Sequence, residues 1–341
     1  MFLRYLSLFS GIGGFEKAIQ NLFSTAECIG YSEIKPSALS IYEHHYPDHI
    51  NLGNVEEITE EKILELGKCD LVVAGFPCTN LSSLAHIRGD PSGLEGKKSG
   101  LFFEMLRILK ILKKNNSSLH VVIENNASMS KINQKIITEN LIEVLGEKVR
   151  MTKIDSAWLG VQTRKRLYWT TFPVSDDFQT QQTWEDVLIP SDNLTPISEK
   201  YVDCLNRTIP SKTCMYKHKI FFDGEKFQKI EHNEFTRSRW QCSFHSDTTD
   251  EKLEEYTYPV GKSRPVTASF GNHNVLVDRR VSPFIIRMFE IEEIERLFGL
   301  PTGYTAPVKA RNKKIDCLGN SVVVYVIEHI LRGLDWKRTS E

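Results

Sequence analysis

One cysteine stands where a short apolar run meets a polar, glycine-rich stretch. Cys78 follows the run Leu71–Ala74 and the turn Gly75-Phe76-Pro77. A thiolate is a strong nucleophile, and a cysteine just beyond a parallel strand lies at the edge of the sheet where ligands bind. A buried structural cysteine is the usual alternative, but the glycine and proline before Cys78 and the polar residues after it argue against simple burial. Cys78 is therefore a candidate for covalent catalysis.

A carboxylate ends a later apolar run. Glu124 follows Val121–Ile123, and the strand predicted there would bring the carboxylate to the same edge of the sheet as Cys78. A cap for the next helix is the alternative role for a polar residue at a strand end. Between these two sites, residues 79–100 are rich in Gly, Ser and Lys, a composition typical of a mobile lid.

Two arginines precede the apolar run Leu167–Trp169. Arg164 and Arg166 are separated by one residue, so strand alternation places both side chains on one face. A basic surface patch is the alternative interpretation of such a pair.

A glycine turn leads from the first predicted strand into the first predicted helix. Glycines let the backbone approach a ligand closely, and the N terminus of a helix offers free N–H groups to a carboxylate or phosphate. Glu33 lies 22 residues after Gly11, at the end of the next apolar run, where a carboxylate accepts both hydroxyls of a ribose. This pattern fits a dinucleotide and S-adenosylmethionine alike, and the lack of a clean GxGxxG disfavours a nicotinamide enzyme. The residues of the turn are Phe9, Ser10, Gly11, Ile12, Gly13 and Gly14.

Strand-like runs alternate with helical patterns over the first 170 residues. This alternation predicts an α/β fold with a doubly wound, parallel sheet. The predicted strands are Tyr5–Phe9, Cys28–Tyr31, Leu71–Ala74 and Leu119–Ile123. The predicted helices are Phe15–Phe23, Lys35–Tyr46 and Leu101–Lys113, with two more, Glu290–Phe298 and Val322–Leu331, near the end of the chain.

The pattern changes between about 172 and 262, where helical periodicity is scarce. Within this segment, the stretch from Arg207 to Arg239 holds eight Lys or Arg against four acidic residues. We predict a second, smaller domain with a basic face at 172–262, between a catalytic domain at 1–171 and a C-terminal part at 263–341 that returns to it. A long insertion of solvated loops is the alternative.

Composition places further limits on the function. The 341 residues are 40% hydrophobic and 26% charged, as is typical of a soluble globular protein. No apolar run approaches the roughly 20 residues that cross a bilayer, and the N terminus lacks a signal-peptide pattern. The seven cysteines contain no CxxC pair, which argues against a zinc ribbon or a disulfide framework. Because the net charge is −1, a surface that binds a polyanion must be local.

In order and spacing, these motifs resemble those of the DNA cytosine-5 methyltransferases. The combination is highly specific and covers nearly the whole chain. Several segments also resemble, more faintly, the catalytic domain of the animal de novo methyltransferases. The matching segments are Phe9–Gly14, Gly75–Cys78, Ser99–Glu104, Glu124-Asn125, Gln162–Arg166, Glu295–Pro301 and Gly319–Val322.

The resemblance implies a Rossmann-like S-adenosylmethionine-dependent methyltransferase fold, with a mainly parallel sheet and a smaller, loop-rich target-recognition domain. It implies that Cys78 attacks C6 of a flipped-out cytosine, that Glu124 holds N3 and the exocyclic amine, that Arg166 binds O2 and that Arg164 steadies the nucleophile loop. It implies S-adenosylmethionine as cofactor, S-adenosylhomocysteine as product, and cofactor contacts at Phe9, Ser10, Gly11, Ile12, Gly13, Gly14, Glu33, Ile34, Asn54, Val55, Pro77, Leu101, Asn320 and Val322. Candidate DNA contacts in the basic stretch are Lys217, Lys219, Arg237 and Arg239.

Four positions depart from the family pattern. Thr79 stands where glutamine is usual in the bacterial enzymes, and Asn126 stands where valine is usual. Ile34 replaces an aromatic residue that often stacks near the adenine, and Asn54 replaces an aspartate that often contacts the adenine amino group. The departures at Ile34 and Asn54 concern the affinity for the cofactor and not the identity of the cofactor.

The resemblance also sets expectations for the assembly. The helix Val322–Leu331 should pack beside the glycine turn, so that the two ends of the chain meet; a cap of that helix by Asn320 is the alternative for the segment. The expected partner is double-stranded DNA, the expected state a monomer, and a cognate restriction endonuclease is possible. The protein would be cytoplasmic in a bacterium or phage and nuclear in a eukaryote.

Two other functions remain open. A tRNA cytosine-5 methyltransferase of the same fold is the nearest, although the basic segment at 172–262 favours DNA. A catalytically silent, methyltransferase-like scaffold is the second, and the presence of Cys78, Glu124 and Arg166 argues against it.

Overall fold

The computed structural model describes residues 2–77, 100–190, 263, 265–267 and 289–336, together with seven short strands between 209 and 288. Cys78, the predicted lid up to residue 99, Lys217 and Arg239 lie outside the described residues. Lys219 and Arg237 are described only as strand backbone. In the described part of the chain, no helix combines the length and the apolar character that crossing a membrane requires.

Six strands form the central sheet, in the order β2-β1-β3-β4-β6-β5. The first four strands in this order run parallel, and β6 is antiparallel to both of its neighbours. Only nine residues separate β5 from β6, too few for the crossover that a parallel neighbour would need. The strands are β1 (Arg4–Leu8), β2 (Glu27–Ser32), β3 (Leu71–Ala74), β4 (His120–Asn126), β5 (Arg150–Asp155) and β6 (Lys165–Thr170).

Helices cover both faces of the sheet, so its central strands are apolar on both sides. Alternate residues of β1 point to opposite faces: Tyr5 belongs to one buried cluster, and Leu6 and Leu8 belong to the other. All four residues of β3 are buried, at roughly 1.5–3 kcal/mol of stabilisation for each large side chain. The helices are α1 (Gly14–Leu22), α2 (Pro36–His45), α3 (Glu60–Glu65), α4 (Leu101–Asn115), α5 (Lys131–Leu145), α6 (Trp184–Val187), α7 (Ile291–Leu297), α8 (Arg311–Gly319) and α9 (Val324–Leu331).

The mainly parallel α/β sheet predicted from the sequence is confirmed, and two details of the prediction were wrong. The strand predicted at Leu119–Ile123 extends to Asn126, because β6 pairs with its last residues. Glu124 therefore lies inside β4 and not after it. The C-terminal helix begins at Val324, with Val323 as its N-cap, while Asn320 forms the C-cap of α8. Asn320 thus does not cap α9.

The start of the predicted small domain packs against the catalytic core. Phe172, Trp184 and Leu188 belong to the same buried cluster as α9, and α6 contacts α7. Ser263 then pairs with the backbone of Val161 and Thr163, so the chain returns to the core beside the connection that precedes β6.

Seven short strands are described between 209 and 288. They form two two-stranded ladders, β7 with β10 and β8 with β9, and one three-stranded sheet, β11-β12-β13. Because β11 pairs with β12, this last sheet joins residues on both sides of the predicted boundary at 262. The domain limits therefore stay a prediction. The strands are β7 (Ile209–Pro210), β8 (Lys219–Phe222), β9 (Phe227–Ile230), β10 (Thr236–Arg237), β11 (Gln241–Phe244), β12 (Asn274–Asp278) and β13 (Ile285–Met288).

Candidate active site and cofactor cleft

The glycine turn between β1 and α1 has an unusual backbone. Gly11 and Gly13 have φ angles of 59° and 86°, and the non-glycine Phe9 has a φ of 55°. A left-handed conformation at a non-glycine residue costs on the order of 1 kcal/mol or more and is concentrated at functional sites. The turn is anchored to the end of β2, because the Ser10 N–H donates to the Ser32 carbonyl at 3.1 Å. Its shape therefore depends on the neighbouring strand as well as on its glycines.

The carboxylate of Glu33 lies against this turn. Its Oε2 accepts the Gly11 N–H at 2.8 Å, and its Oε1 accepts the N–H groups of Ile34 and Lys35, each at 2.8 Å. Two carboxylate oxygens offer about four acceptor positions, so these three bonds leave capacity for a ligand hydroxyl. The position agrees with the ribose-binding role expected from the sequence, and that role stays a prediction.

Other predicted cofactor residues differ in exposure. Ile34 is 63% exposed and is one of the most exposed large apolar side chains of the described residues. Val55 is buried, and Asn54 caps the 3-10 turn Val55–Glu57 by accepting the Glu56 N–H at 3.2 Å. The Asn54 side chain is thus held by its own turn. Pro77 and Leu101 are half-buried.

The C-terminal segment packs directly on the glycine turn. A Cβ added at Gly14 would lie 2.8 Å from Ser321 Oγ and 2.9 Å from Val322 Cγ2, distances that only glycine permits. Helices α1 and α9 also pack along each other. A salt bridge between Lys35 and Asp316 joins the start of α2 to α8. The expectation that the two ends of the chain meet is confirmed.

An ion pair occupies the edge of the sheet beside the turn that leads to Cys78. Arg166 Nε lies 2.8 Å from Glu124 Oε1, and both side chains are less than a fifth exposed. A Cβ added at Gly75 would lie 3.4 Å from Glu124 Oε2, so the second carboxylate oxygen faces the Gly75–Pro77 turn. Burial and the negative charge of Glu124 raise the pKa of Tyr168, and this phenol stays neutral beside the pair.

Asn125 fixes the turn itself. Its side chain is buried and donates from Nδ2 to the carbonyl of Phe76 at 3.2 Å. Its Oδ1 accepts the Asn126 N–H at 2.7 Å. In the sequence, Asn125 is only part of a motif, and no role for its side chain is predicted from it. The available signal was a polar residue beside Glu124, in a strand otherwise buried on both faces.

The two arginines have different surroundings. Arg164 is buried, and its guanidinium donates to the carbonyls of Val266, Gly319 and Ser321 at 2.7, 2.9 and 2.9 Å. Its Cζ lies 5.3 Å from the centre of the Phe298 ring. These bonds join the start of β6 to the C-terminal segment that packs on the glycine turn. The predicted contact between Arg164 and the nucleophile loop stays a prediction.

The glycine turn and the Gly75–Pro77 turn are direct neighbours. Phe15 Cε2, in the first turn of α1, lies 3.7 Å from the position that a Cβ at Gly75 would take. A group bound at the glycine turn would therefore lie next to the Glu124–Arg166 pair. This closeness is what the transfer of a small group between two bound molecules requires.

The comparison with known proteins agrees with this geometry. Residues 3–336 match the model of the C-5 cytosine-specific DNA methylase family. The chain belongs to this family. Among curated relatives, the type II methyltransferase M.NgoBV of Neisseria gonorrhoeae is 33% identical over 180 residues, 49% of this chain and 41% of that protein. M.HpaII of Haemophilus parainfluenzae is 25% identical over 343 residues, 95% of this chain and 87% of that protein.

Solved structures of methyltransferases share the fold of this methylase-family chain. EhMeth of Entamoeba histolytica superposes with a TM-score of 0.67 at 15% identity, over 98% of each chain. A second type II methyltransferase from Neisseria, M.NlaIV of Neisseria lactamica, is 30% identical over 183 residues, and the matches to both Neisseria proteins cover 41% of their length. Family and fold are thus established for this chain.

Proposed function

We propose that this chain transfers the methyl group of S-adenosylmethionine to carbon 5 of a flipped-out cytosine in duplex DNA, with Cys78 as the nucleophile. The observation that carries the proposal is the Glu124–Arg166 pair, which faces the turn to Cys78 and lies beside the glycine turn. Membership of the C-5 cytosine-specific DNA methylase family supports the same reaction.

The residues around the glycine turn fit the cofactor. The turn ends at the N terminus of α1, where N–H groups suit the carboxylate of an amino acid. Glu33 suits the ribose hydroxyls, and the exposed side chain of Ile34 offers an apolar surface for the adenine ring. When bound, the cofactor supplies an electrophilic methyl group. Asn320 and Val322 belong to the segment that closes the other side of the turn.

The reaction requires a nucleophile and a group that holds a proton at N3 of the base. Carbon 5 of cytosine is a poor nucleophile until a thiolate adds to carbon 6, forming a carbon–sulfur bond and moving the electron pair of the ring towards carbon 5. Cys78 supplies the thiolate. Negative charge that builds in the ring is offset when a proton is held at N3, the role proposed for Glu124. Once carbon 5 has taken the methyl group, its proton passes to a base such as water, the electron pair of that C–H bond re-forms the C5–C6 double bond, and the C6–S bond to Cys78 breaks.

The ion pair prepares Glu124 for this role. Arg166 engages Oε1 and leaves Oε2 facing the Gly75 turn, where N3 and the exocyclic amine of a flipped base would lie. The guanidinium of Arg166 keeps further N–H donors for O2 of the base. Flipping itself costs a few kcal/mol of lost stacking and pairing, which contacts from the rest of the protein must offset.

One experiment tests the nucleophile and the substrate together. The full chain is incubated with cofactor labelled in its methyl group and with duplex DNA or tRNA, as wild type and as Cys78→Ser. We expect label in cytosine of DNA from wild type alone, and a covalent adduct with 5-fluorocytosine DNA that the serine variant does not form. A hydroxyl is a far weaker nucleophile at neutral pH than a thiolate.

Each outcome separates the alternatives. Transfer to tRNA in place of DNA would make the chain an RNA methyltransferase, and turnover by Cys78→Ser at the wild-type rate would remove Cys78 from the mechanism. No transfer to either substrate, with DNA still bound, would favour the scaffold. Bisulfite sequencing of DNA from expressing cells then gives the methylated site, and the matching restriction enzyme tests protection. A cognate endonuclease is proposed because the Neisseria relatives are type II methyltransferases.

A further inference from the structure

Two buried tyrosines hold the carbonyl groups of the glycine turn. The hydroxyl of Tyr304 donates to the carbonyl of Ile12 at 2.8 Å, and that of Tyr46 donates to the carbonyl of Gly13 at 3.3 Å. The two hydroxyl oxygens are 3.4 Å apart, and both side chains are less than 5% exposed. Neither tyrosine belongs to a motif noted in the sequence, and they lie 258 residues apart along the chain.

Holding these carbonyls fixes the amides that follow them. In a trans peptide the N–H points opposite to the C=O, so a carbonyl directed into the tyrosine cluster turns the next N–H away from it. The Gly13 carbonyl is the first helical acceptor of α1, from Lys17 N–H at 2.9 Å, and it takes the Tyr46 hydroxyl as a second donor. A glycine turn left to itself has many accessible peptide orientations, and the two hydroxyl donors, together with the bond from Gly13 N–H to the Ser10 carbonyl at 3.1 Å, select one of them.

The two tyrosine rings also leave no space for other backbone conformations of the turn. A Cβ added at Gly13 would lie 2.5 Å from Tyr46 Cε2 and 3.1 Å from the Tyr304 hydroxyl, so both rings pack directly against the turn. Since Gly13 has a φ of 86°, this position combines close packing with a conformation that favours glycine.

Tyr304 is itself rigidly placed. The ring of His45 stacks on it with centroids 3.8 Å apart and an angle of 9° between the planes. The buried carboxylate of Glu295 in α7 accepts the N–H groups on either side of it, from Gly303 at 2.6 Å and from Thr305 at 2.7 Å. A donor held on both flanks can impose its geometry on a flexible acceptor.

We propose that Tyr304 and Tyr46 are positioning residues that preorganise the glycine turn for the cofactor. The inference rests on the proposed function, in which this turn binds S-adenosylmethionine. The tyrosines do not need to touch the cofactor, because they act through the peptide groups of Ile12 and Gly13. Their loss therefore weakens cofactor binding and leaves the chemical step of the saturated enzyme intact.

The test compares Tyr304→Phe and Tyr46→Phe with the control Tyr325→Phe in the full chain. Tyr325 is equally buried, and its hydroxyl also donates to a backbone carbonyl, that of Leu297 at 3.4 Å, which lies outside the glycine turn. Calorimetry gives the Kd for S-adenosylmethionine, and steady-state assays at saturating DNA give kcat and the KM for S-adenosylmethionine. We expect Kd and KM to rise about 3- to 10-fold in the first two variants, as for the loss of one hydrogen bond, with kcat within about twofold.

The control separates positioning from general destabilisation. All three variants lose a buried hydroxyl, so a purely structural role would lower thermal stability in each and move the cofactor Kd in none. Wild-type Kd and KM in both Tyr304→Phe and Tyr46→Phe would overturn the proposal, as would an equal loss in Tyr325→Phe. If Tyr304→Phe does not fold, Tyr46→Phe decides the matter. Failure of the wild type to bind the cofactor would instead refute the proposed function.

Discussion

At the scale of single residues, the catalytic proposal depends on one ion pair in a nearly closed environment. Arg166 and Glu124 come from neighbouring antiparallel strands, two residues out of direct register, since Asn126 is the partner of Arg166. Burying two charges costs desolvation free energy that offsets much of their mutual attraction, so a largely buried pair contributes little net stability. The value of this pair therefore lies in the orientation of the carboxylate and not in its contribution to folding.

Glu124→Gln tests that view. We expect kcat to fall by about 10²- to 10⁴-fold, the usual range for loss of a general acid or base, while DNA binding persists. Single-turnover methyl transfer and DNA titration measure the two effects. The control is Glu104→Gln, which breaks the pair between Arg107 Nε and Glu104 Oε2 at 2.9 Å on α4. Equal losses in both variants would mean that Glu124 acts through stability alone.

At the scale of elements, α1 carries a buried acid in its first turn, immediately after the glycine turn. Glu16 is fully buried, and its Oε1 accepts the hydroxyl of Tyr42 at 3.1 Å. Burial raises the pKa of Glu16 from its ordinary value of 4.5 to about 7, because the charged form loses hydration. The groups that face it stay neutral: burial raises the pKa of Cys28 to about 12 and raises those of Tyr5 and Tyr42 further.

This acid makes stability depend on pH. Between pH 4.5 and about 7 the folded protein keeps a proton that the unfolded chain has released, so stability is lost as pH rises through this window. Glu16→Gln removes the charge and keeps an acceptor for Tyr42. We expect the free energy of unfolding of the variant, relative to that of wild type, to rise by up to roughly 3 kcal/mol as the pH increases from 5 to 8.

Urea unfolding of both proteins across that range measures the difference. Burial lowers the pKa values of His45 and His49, and these groups contribute an opposite slope that cancels between wild type and variant. Glu57→Gln, at an exposed position, is the control. A constant difference between wild type and Glu16→Gln at every pH would show that Glu16 is ionised throughout.

The same scale shows what the sequence was able to predict. Where the apolar pattern is dense, as in β3 and in the start of α4 at Leu101, the predicted bounds hold. Helix α5 was not predicted, because its apolar pattern is weak. Its buried apolar residues are Ile137, Leu141 and Leu145, and its first buried residue is the polar Gln134. Helix α8 is mostly polar and is held by contacts with α2 and α7.

The site shows the same limit. Motif residues on neighbouring strands, such as Glu124 and Arg166, come together because the order of strands brings them there. The partners of Arg164 are backbone carbonyls 102 to 157 residues away, and Tyr304 reaches Ile12 across 292 residues. Local periodicity holds no information on contacts at such separations, so only the folded chain reveals them.

At the scale of the whole molecule, the C-terminal segment completes the glycine turn from the opposite end of the chain. Gly14→Ala tests how closely the two fit, because the new Cβ would lie under 3.0 Å from both Ser321 and Val322. We expect a loss of about 1–3 kcal/mol in unfolding free energy, typical of overpacking, together with weaker cofactor binding. Denaturation and calorimetry measure the two, and Ser321→Ala in the same chain should restore part of each. No change in either quantity would show that the contact is loose.

Recognition of DNA must come from a local surface, since the net charge of the chain is −1. The stretch from Arg207 to Arg239 concentrates positive charge between the core strands and the C-terminal part, and we propose that it selects the DNA sequence. An arginine that binds guanine through two hydrogen bonds contributes about 1–3 kcal/mol of discrimination, whereas a lysine on a phosphate contributes affinity alone.

Substitutions in this stretch should therefore differ in kind. We expect Arg237→Ala and Arg239→Ala to relax or weaken sequence preference at one position of the methylated site. We expect Lys217→Ala and Lys219→Ala to lower affinity equally for all DNA sequences and to reduce by about 1 the slope of log affinity against log salt concentration. Lys135→Ala, on α5 and paired with Glu139, is the control. Deep sequencing of methylated sites and DNA binding across a salt series give the two readouts. If all four variants kept both the site and the slope, the recognition surface would lie elsewhere, and residues 79–100 would be the next segment to test.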